Sequence, residues 1–538
     1  MAQDLPFGPE LPAATLVRDT ADPAPDVEPG LRTEPAVATA DPELGRAVTE
    51  VQGDGTSFDA MLRGIEERSG TTFTDAERDD ARAALETLQA RLSVDPEKVS
   101  AAVETITENL RGIPFEGKLE DAERAIADLS PAEATEAFSR LTDDQVRDWA
   151  GSAQRGVTAL GYEREDTDRF YGVLAQHLDG AQLARFASAL VGDHVHYAEA
   201  QRFGRIVAEQ APPEVRAQLV MASNQRARED NAGLGVAGGE ALASLSGPLL
   251  DRTLADLGDR GIASAISRAA LGNTIHTRMG SSTSYNVETV AAIAETLATA
   301  TDARARGVAF ANAASMLGSF QNDWGYGYSV RVTGRDDLRD GVRSLLMSDA
   351  PAVTGELGQR FDTHGLALAA YLKAELDAER PGAVRDYLVA LRGDTSMSTV
   401  DWMESRDAEG IFQNARNLGF GTGATRSAIL GMTGDRRDQV EAIKDVFGTG
   451  AGVAGAAHPA AGVVATILTG ISGGIARDII ADAERSGRDQ AIVFDDLAMP
   501  RYVEGDRIPS DARAGDPYAG AAWNAYQTAR GAVLDSRQ

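Results

Sequence analysis

Apolar residues recur every three or four positions along most of the chain after about residue 55. The recurrence is clearest in these groups: Leu85, Leu88 and Leu92; Val99, Val103, Ile106 and Leu110; Leu250, Leu254 and Leu257; Val290, Ile293 and Leu297; Leu368, Leu372 and Leu376; Val384, Leu388 and Leu391. This spacing places apolar side chains on one face of an α-helix. The pattern therefore predicts a long series of amphipathic helices.

Helix starts are marked by capping residues. Thr74-x-x-Glu77 is a capping box, and amphipathic stretches follow Leu129-Ser130-Pro131, Leu141-Thr142-Asp143-Asp144 and Leu178-Asp179. The starts are irregularly spaced, so we do not predict a solenoid with a fixed repeat. Strand patterns are restricted to residues 328–332 and 491–494.

One stretch near the C terminus, residues 447–476, contains no Asp, Glu, Lys or Arg, and we call it the apolar segment. Small residues occupy every fourth position on both sides of Pro459, namely Gly448, Gly452 and Ala456 before it and Gly462, Thr466, Gly470 and Gly474 after it. Small residues at this spacing form a smooth stripe along a helix, against which another backbone packs closely. Because Pro459 interrupts a helix, the segment is predicted to form a helical hairpin.

The hairpin has two interpretations. Each arm is shorter than the ~20 apolar residues of a standard membrane-spanning helix. Helices rich in glycine and alanine also pack at the centre of large soluble helical domains. One interpretation is therefore a buried core hairpin, and the other is a segment that meets a membrane at some stage.

The predicted fold is an all-α, multi-subdomain helical bundle with a buried Gly/Ala-rich hairpin near the C terminus and a disordered N-terminal tail. We expect a tail at residues 1–45, a helical domain of cap-helix units at 46–230, a second helical domain at 231–435, and the hairpin with a C-terminal extension at 436–538. The tail holds eight of the twenty prolines and few apolar residues, so it cannot bury a core. It is also a candidate docking segment for a secretion or packaging machine.

The charge balance and the absence of cysteine exclude several classes of function. The chain carries 82 acidic and 52 basic residues, a formal net charge of −30, so nucleic-acid binding is not expected. Without cysteine there are no disulfides, thiolate metal sites or cysteine nucleophiles. The first residues, MAQDLPFGPELPAA, lack a basic region followed by an apolar one. We therefore expect synthesis in the cytoplasm without a Sec signal, and export by a specialised system.

Two glycine clusters match parts of nucleotide-binding motifs. Residues 233–238 (GLGVAG) fit the dinucleotide pattern GxGxxG, but a polar, helix-like stretch precedes them instead of a strand. Residues 419–423 (GFGTG) are not followed by the lysine of a phosphate-binding loop. We interpret the second cluster as a hinge or tight loop before the apolar segment, and we expect no cofactor.

Histidine and aromatic clusters are the remaining candidates for chemistry. His194 and His196, near Asp193 and Glu199, lack the spacing of a metal site, so no metal is expected. Asp362-Thr363-His364 has no recognisable nucleophile partner. In residues 322–328 (NDWGYGY), Trp324, Tyr326 and Tyr328 form a candidate ligand-stacking surface, with Asp323 as a candidate acid or base. The same aromatic residues are also suited to filling a seam between helical subdomains.

The apolar segment resembles the hydrophobic hairpin of pore-forming bacteriocins of the colicin type. The resemblance is carried by residues 448–457 and 460–476, with the amphipathic residues 439–447 before them and Arg477-Asp478 after them. It implies a hairpin that is buried in a soluble helical bundle and inserts into a target membrane. The chain departs from that family in its glycine content, its shorter arms and the break at Pro459.

Three functions are consistent with these patterns. The first is a secreted or injected bacterial effector or toxin whose hairpin inserts into a target membrane. The second is a non-catalytic helical scaffold, secretion cargo or virion component in which the hairpin is only a helix–helix contact. The third is an all-helical enzyme acting on a cell-wall or carbohydrate substrate near Asp323, although on balance we do not expect an enzyme.

Overall fold

The architecture is taken from a computed structural model of the chain. It describes residues 94–110, 116–159, 164–190, 197–226, 232–270, 273–277, 280–319, 328–360, 364, 366–393, 399–407, 411–433, 436–447, 478–482, 485, 489–498 and 517–535, and before these Arg63, Glu66, Thr72, Thr74 and Arg78. The predicted N-terminal tail at residues 1–45 lies outside this set.

Helices dominate the described residues, which confirms the predicted all-α class. The first part contains α1 Pro96–Leu110, α2 Glu116–Ala127, α3 Pro131–Ser139, α4 Asp143–Ala159, α5 Arg164–His177, α6 Gly180–Ala189, α7 Tyr197–Gln210, α8 Pro213–Gln225, α9 Ala232–Ala243 and α10 Gly247–Ala269. The chain continues with β1 Asn273–Thr277, β2 Gly280–Asn286, α11 Glu288–Leu297, α12 Ala303–Ser319, β3 Tyr328–Thr333, α13 Arg335–Ser348 and α14 Ala350–Gln359. It ends with α15 Ala367–Asp377, α16 Pro381–Arg392, α17 Thr399–Glu404, α18 Gln413–Leu430, α19 Arg436–Val446, α20 Gln490–Ala498 and α21 Pro517–Asp535.

One small sheet interrupts the helices. β2 pairs antiparallel with β1 and parallel with β3, with Ser284 opposite Asn273 on one side and Arg331 on the other. The predicted strand at 328–332 is confirmed, because it is β3. The predicted strand at 491–494 is wrong: these residues lie in α20, where a short apolar run packs as one face of a helix.

The described chain divides into two compact units. The first combines the residues up to Asn109 with Asp121–Leu141, and the second combines Leu110–Glu120 with Thr142–Gln538. The predicted domain boundaries stay predictions. In the second unit, α9 packs against α7 and α8, so helices on both sides of residue 230 are in contact. Likewise, α19 packs against α16 and α18, so helices on both sides of residue 435 are in contact.

In the first unit, the predicted helix start at Ser130 is confirmed as a capping box. The Ser130 hydroxyl accepts from the Glu133 N–H, and the Glu133 carboxylate accepts from the Ser130 N–H at 2.9 Å. The same carboxylate accepts from the Lys98 ammonium at 3.1 Å. These hydrogen bonds, led by the one from the Ser130 backbone, lower the pKa of Glu133 to about 2.

The second unit is built around two glycine-rich helices, α9 and α18. α9 contacts α7, α8, α10 and α11, while α18 contacts α14, α15, α16 and α21. A separate aromatic core joins the four helices α4, α5, α6 and α7. Neighbouring ring centroids lie 5.2 to 6.0 Å apart, and the rings are those of Trp149, Phe170, Tyr171, Phe186 and Phe203. Edge-to-face and tilted ring contacts of this kind add to the burial of large apolar area.

Candidate functional site

Most of the predicted site residues lie outside the described part of the chain. These are Asp323, Trp324 and Tyr326; His194 and His196; and the small residues and proline of the apolar segment, Gly448, Gly452, Ala456, Pro459, Gly462, Thr466, Gly470 and Gly474. Tyr328 begins β3, where only the backbone is described. The proposed aromatic ligand surface and the hairpin therefore stay predictions.

The two glycine clusters occur inside helices. Residues 233–238 belong to α9, which follows α8 in the chain, so the strand–turn–helix geometry of a dinucleotide site is absent there. Residues 419–423 belong to the middle of α18, and the predicted hinge or loop at this place is wrong. Glycine is used in α18 for close packing: a Cβ at 419 would lie 2.1 Å from the Tyr526 carbonyl oxygen.

The first residue of the apolar segment contacts a helix that follows the segment in the chain. Phe447, its first residue, is fully buried directly after α19, and α20 follows the segment. The Phe447 and Phe494 rings are 5.6 Å apart between centroids with an interplanar angle of 67°. Ile443, Val446 and Val493 are also fully buried beside them. This contact joins the residue after α19 to α20, which begins at residue 490, and we call it the base of the apolar segment.

An ion-pair cluster fixes α20 at this base. Asp495 accepts a hydrogen bond from the Arg530 guanidinium of α21, and the Arg426 Nε of α18 lies 3.0 Å from the same carboxylate oxygen. Arg530 is nearly buried, with 9% of its side chain exposed. A carboxylate shared by two guanidinium groups in a partly buried setting restrains three helices at once.

The contact between α18 and α21 supports this cluster. A Cβ at 423 would lie 3.0 Å from the Arg530 carbonyl oxygen, so Gly419 and Gly423 bring the two backbones together. At the same contact the buried Thr422 and Tyr526 hydroxyls are 3.2 Å apart and share a hydrogen bond. Tyr526 is fully buried.

A second polar cluster surrounds His364, for which the sequence indicated no partner. Asp259 follows Gly258, where α10 is kinked, and its carboxylate lies 2.9 Å from Arg304 Nε and accepts from Arg360. These arginines lower the pKa of Asp259, although its burial acts in the opposite direction. Burial and the Arg360 guanidinium lower the pKa of His364, against a smaller opposing effect of Asp259.

Neither a metal-binding group nor a membrane-spanning helix is found among the described residues. Among the described residues there is no group of three or more His, Asp or Glu side chains suited to a metal ion. Within the same residues, no helix is both long and apolar enough to span a membrane.

Comparison of the chain with family models, with curated proteins and with solved structures finds no match. The resemblance to colicin-type proteins therefore rests on the residues of the apolar segment.

We expect Gly419→Ala to destabilise the protein, because its new methyl group would meet a backbone carbonyl that cannot rotate away. Overpacking of this kind costs about 1–3 kcal/mol. Chemical unfolding followed by circular dichroism measures the change. Gly531→Ala is the matched control on α21, because nothing lies within 4 Å of a Cβ there, and we expect it to be neutral or slightly stabilising. Equal stability of the two variants would contradict the described helix contact.

We expect His364 to make the fold less stable in mild acid. The folded imidazole binds a proton less readily than the unfolded one. Neutral His364 therefore makes its full contribution to the free energy of unfolding above the ordinary pKa of about 6.5, and this contribution declines as the pH falls below that value. Unfolding of wild type and His364→Gln at pH 7.5 and pH 5.5 measures the effect. The variant should lose less stability over this interval than wild type, and an unchanged loss would refute the role of His364.

Proposed function

We propose that the protein is a secreted or injected bacterial effector that inserts the apolar segment into a target membrane. The supporting observation is the contact between Phe447 and Phe494, which joins the first residue of the segment to α20 of the helical body. If the segment leaves the body, this contact can keep α19 and α20 together. Export would use residues 1–45 as the segment that a specialised machine recognises.

Charge supports delivery through water followed by insertion. The chain has a net charge of −30, whereas the apolar segment has no charged side chain. An acidic surface keeps such a protein soluble and separate from anionic lipid until the fold is loosened. His364 offers one route to loosening in mild acid, since its protonation is unfavourable in the fold.

Vesicle experiments test this proposal. The full chain is compared with a variant in which a Gly/Ser linker replaces residues 448–476. We expect the full chain to float with vesicles of phosphatidylethanolamine and phosphatidylglycerol and to release an enclosed dye, more strongly at pH 5 than at pH 7.5. The linker variant should do neither while keeping its helical circular dichroism. Neither flotation nor release by the full chain at either pH would exclude membrane insertion.

A second function is favoured by the packing of the described glycine-rich helices. Both α9 and α18 use their glycines for contacts between buried helices, as Gly239 does beside Ala269 and Gly419 does beside Tyr526. If the apolar segment is used in the same way, the protein is a non-catalytic scaffold, secretion cargo or virion component.

The scaffold function predicts a purely structural role for the glycine stripe of the apolar segment. Gly470→Leu should then lower the free energy of unfolding by about 1–3 kcal/mol through overpacking. Thermal unfolding of this variant beside wild type, with vesicle flotation of both, separates the two functions. Loss of stability without any membrane binding by wild type supports the scaffold, and vesicle binding by wild type supports insertion.

A further inference from the structure

A cavity of about 430 Å³ opens within the second unit, between the start of α8 and the turn that joins α9 to α10. Its volume lies in the range of small-ligand sites. Two arginines line it, Arg216 and Arg252, together with the hydroxyl-bearing residues Ser244 and Ser246. Among its described lining residues, Glu214 carries the one carboxylate. The lining is therefore net positive in a chain whose net charge is −30.

The Arg216 guanidinium is held in a fixed position. Its Nη1 donates to the Ala208 and Ser244 carbonyl oxygens, both at 3.0 Å. Its Nε is buried and has no hydrogen-bond partner in the described structure. Because this nitrogen is buried, a ligand in the cavity would be met by the outer Nη2 of the same guanidinium, which the two carbonyl contacts hold in place.

The N termini of two helices add positive electrostatic potential at the cavity. α8 and α10 both begin at the cavity, with Pro212 and Ser246 as their N-cap residues, and neither residue makes a side-chain capping bond. Pro213 and Pro248 in these first turns have no N–H, so the remaining first-turn N–H groups carry the positive end of each helix dipole. Two such helix starts beside two arginines favour a compact anion with several acceptor oxygens.

We propose that this cavity binds the phosphate group of a phosphate monoester, with Arg252 at its entrance and Arg216 against its inner side. A planar guanidinium matches a phosphate in charge and in hydrogen-bond geometry. The remaining volume, floored by the buried Leu245, accommodates a small organic part. The same chemistry is found in soluble phosphate esters and in the headgroup of phosphatidic acid. This site is independent of the apolar segment.

Titration calorimetry of the full chain with glycerol 3-phosphate tests the soluble source. We expect saturable binding that Arg252→Gln weakens at least tenfold and that Glu214→Gln strengthens, because the latter removes the opposing charge. Arg260→Gln is the matched control, since Arg260 is an exposed arginine of α10 that does not line the cavity. It should bind as wild type does. Circular dichroism of each variant verifies folding.

Flotation tests the lipid source, using phosphatidylcholine vesicles with and without phosphatidic acid. The full chain is used, and the vesicles without phosphatidic acid measure any contribution from insertion of the apolar segment. Binding that requires both phosphatidic acid and Arg252 assigns the site to a lipid headgroup, and binding to glycerol 3-phosphate alone assigns it to a soluble ester. Binding in neither assay, or binding that Arg252→Gln and Glu214→Gln leave unchanged, overturns the proposal.

Discussion

The second unit depends on one steric constraint: its central helices carry glycine where neighbouring helices come closest. In α18 a Cβ at 419 would lie 2.1 Å from the Tyr526 carbonyl oxygen, and in α9 a Cβ at 239 would lie 2.9 Å from the Ala269 side chain. Backbones in such close contact gain many dispersion contacts and exclude water. This offsets the low intrinsic helix propensity of glycine. The polar group at the contact, Thr422, is satisfied by its own helix and by Tyr526.

This constraint reaches the base of the apolar segment through a short series of contacts. Close packing of α21 on α18 brings Arg530 to Asp495, and that ion pair positions α20. α20 then places Phe494 against Phe447. The first residue of the apolar segment is therefore held by the same packing that fixes α21. A change at either place would be transmitted to the other through packed side chains and ion pairs.

Helices and their starts could be predicted from the sequence because capping and apolar spacing are local, as the Ser130 capping box illustrates. Glycines 419–423 were misassigned to a loop, since the sequence does not show that a distant backbone, that of Tyr526, would lie against them. β1 and β2 were missed because polar residues dominate them and neither alternates apolar with polar positions. The surroundings of His364 were equally hidden, since Asp259 is distant in the chain and is brought near by the fold.

The small-residue stripes of the apolar segment affect whether it can move from the protein interior into lipid. In the proposed hairpin, each arm carries its own stripe, so the closest packing is formed between the two arms. Their outer faces are apolar and suit either a protein interior or lipid. Transfer between these environments would then exchange outer contacts while conserving the inner ones. What opposes transfer is the base, where Phe447 is fully buried against Phe494. If the segment inserts as proposed, the stability of that contact is therefore part of the cost of leaving the protein.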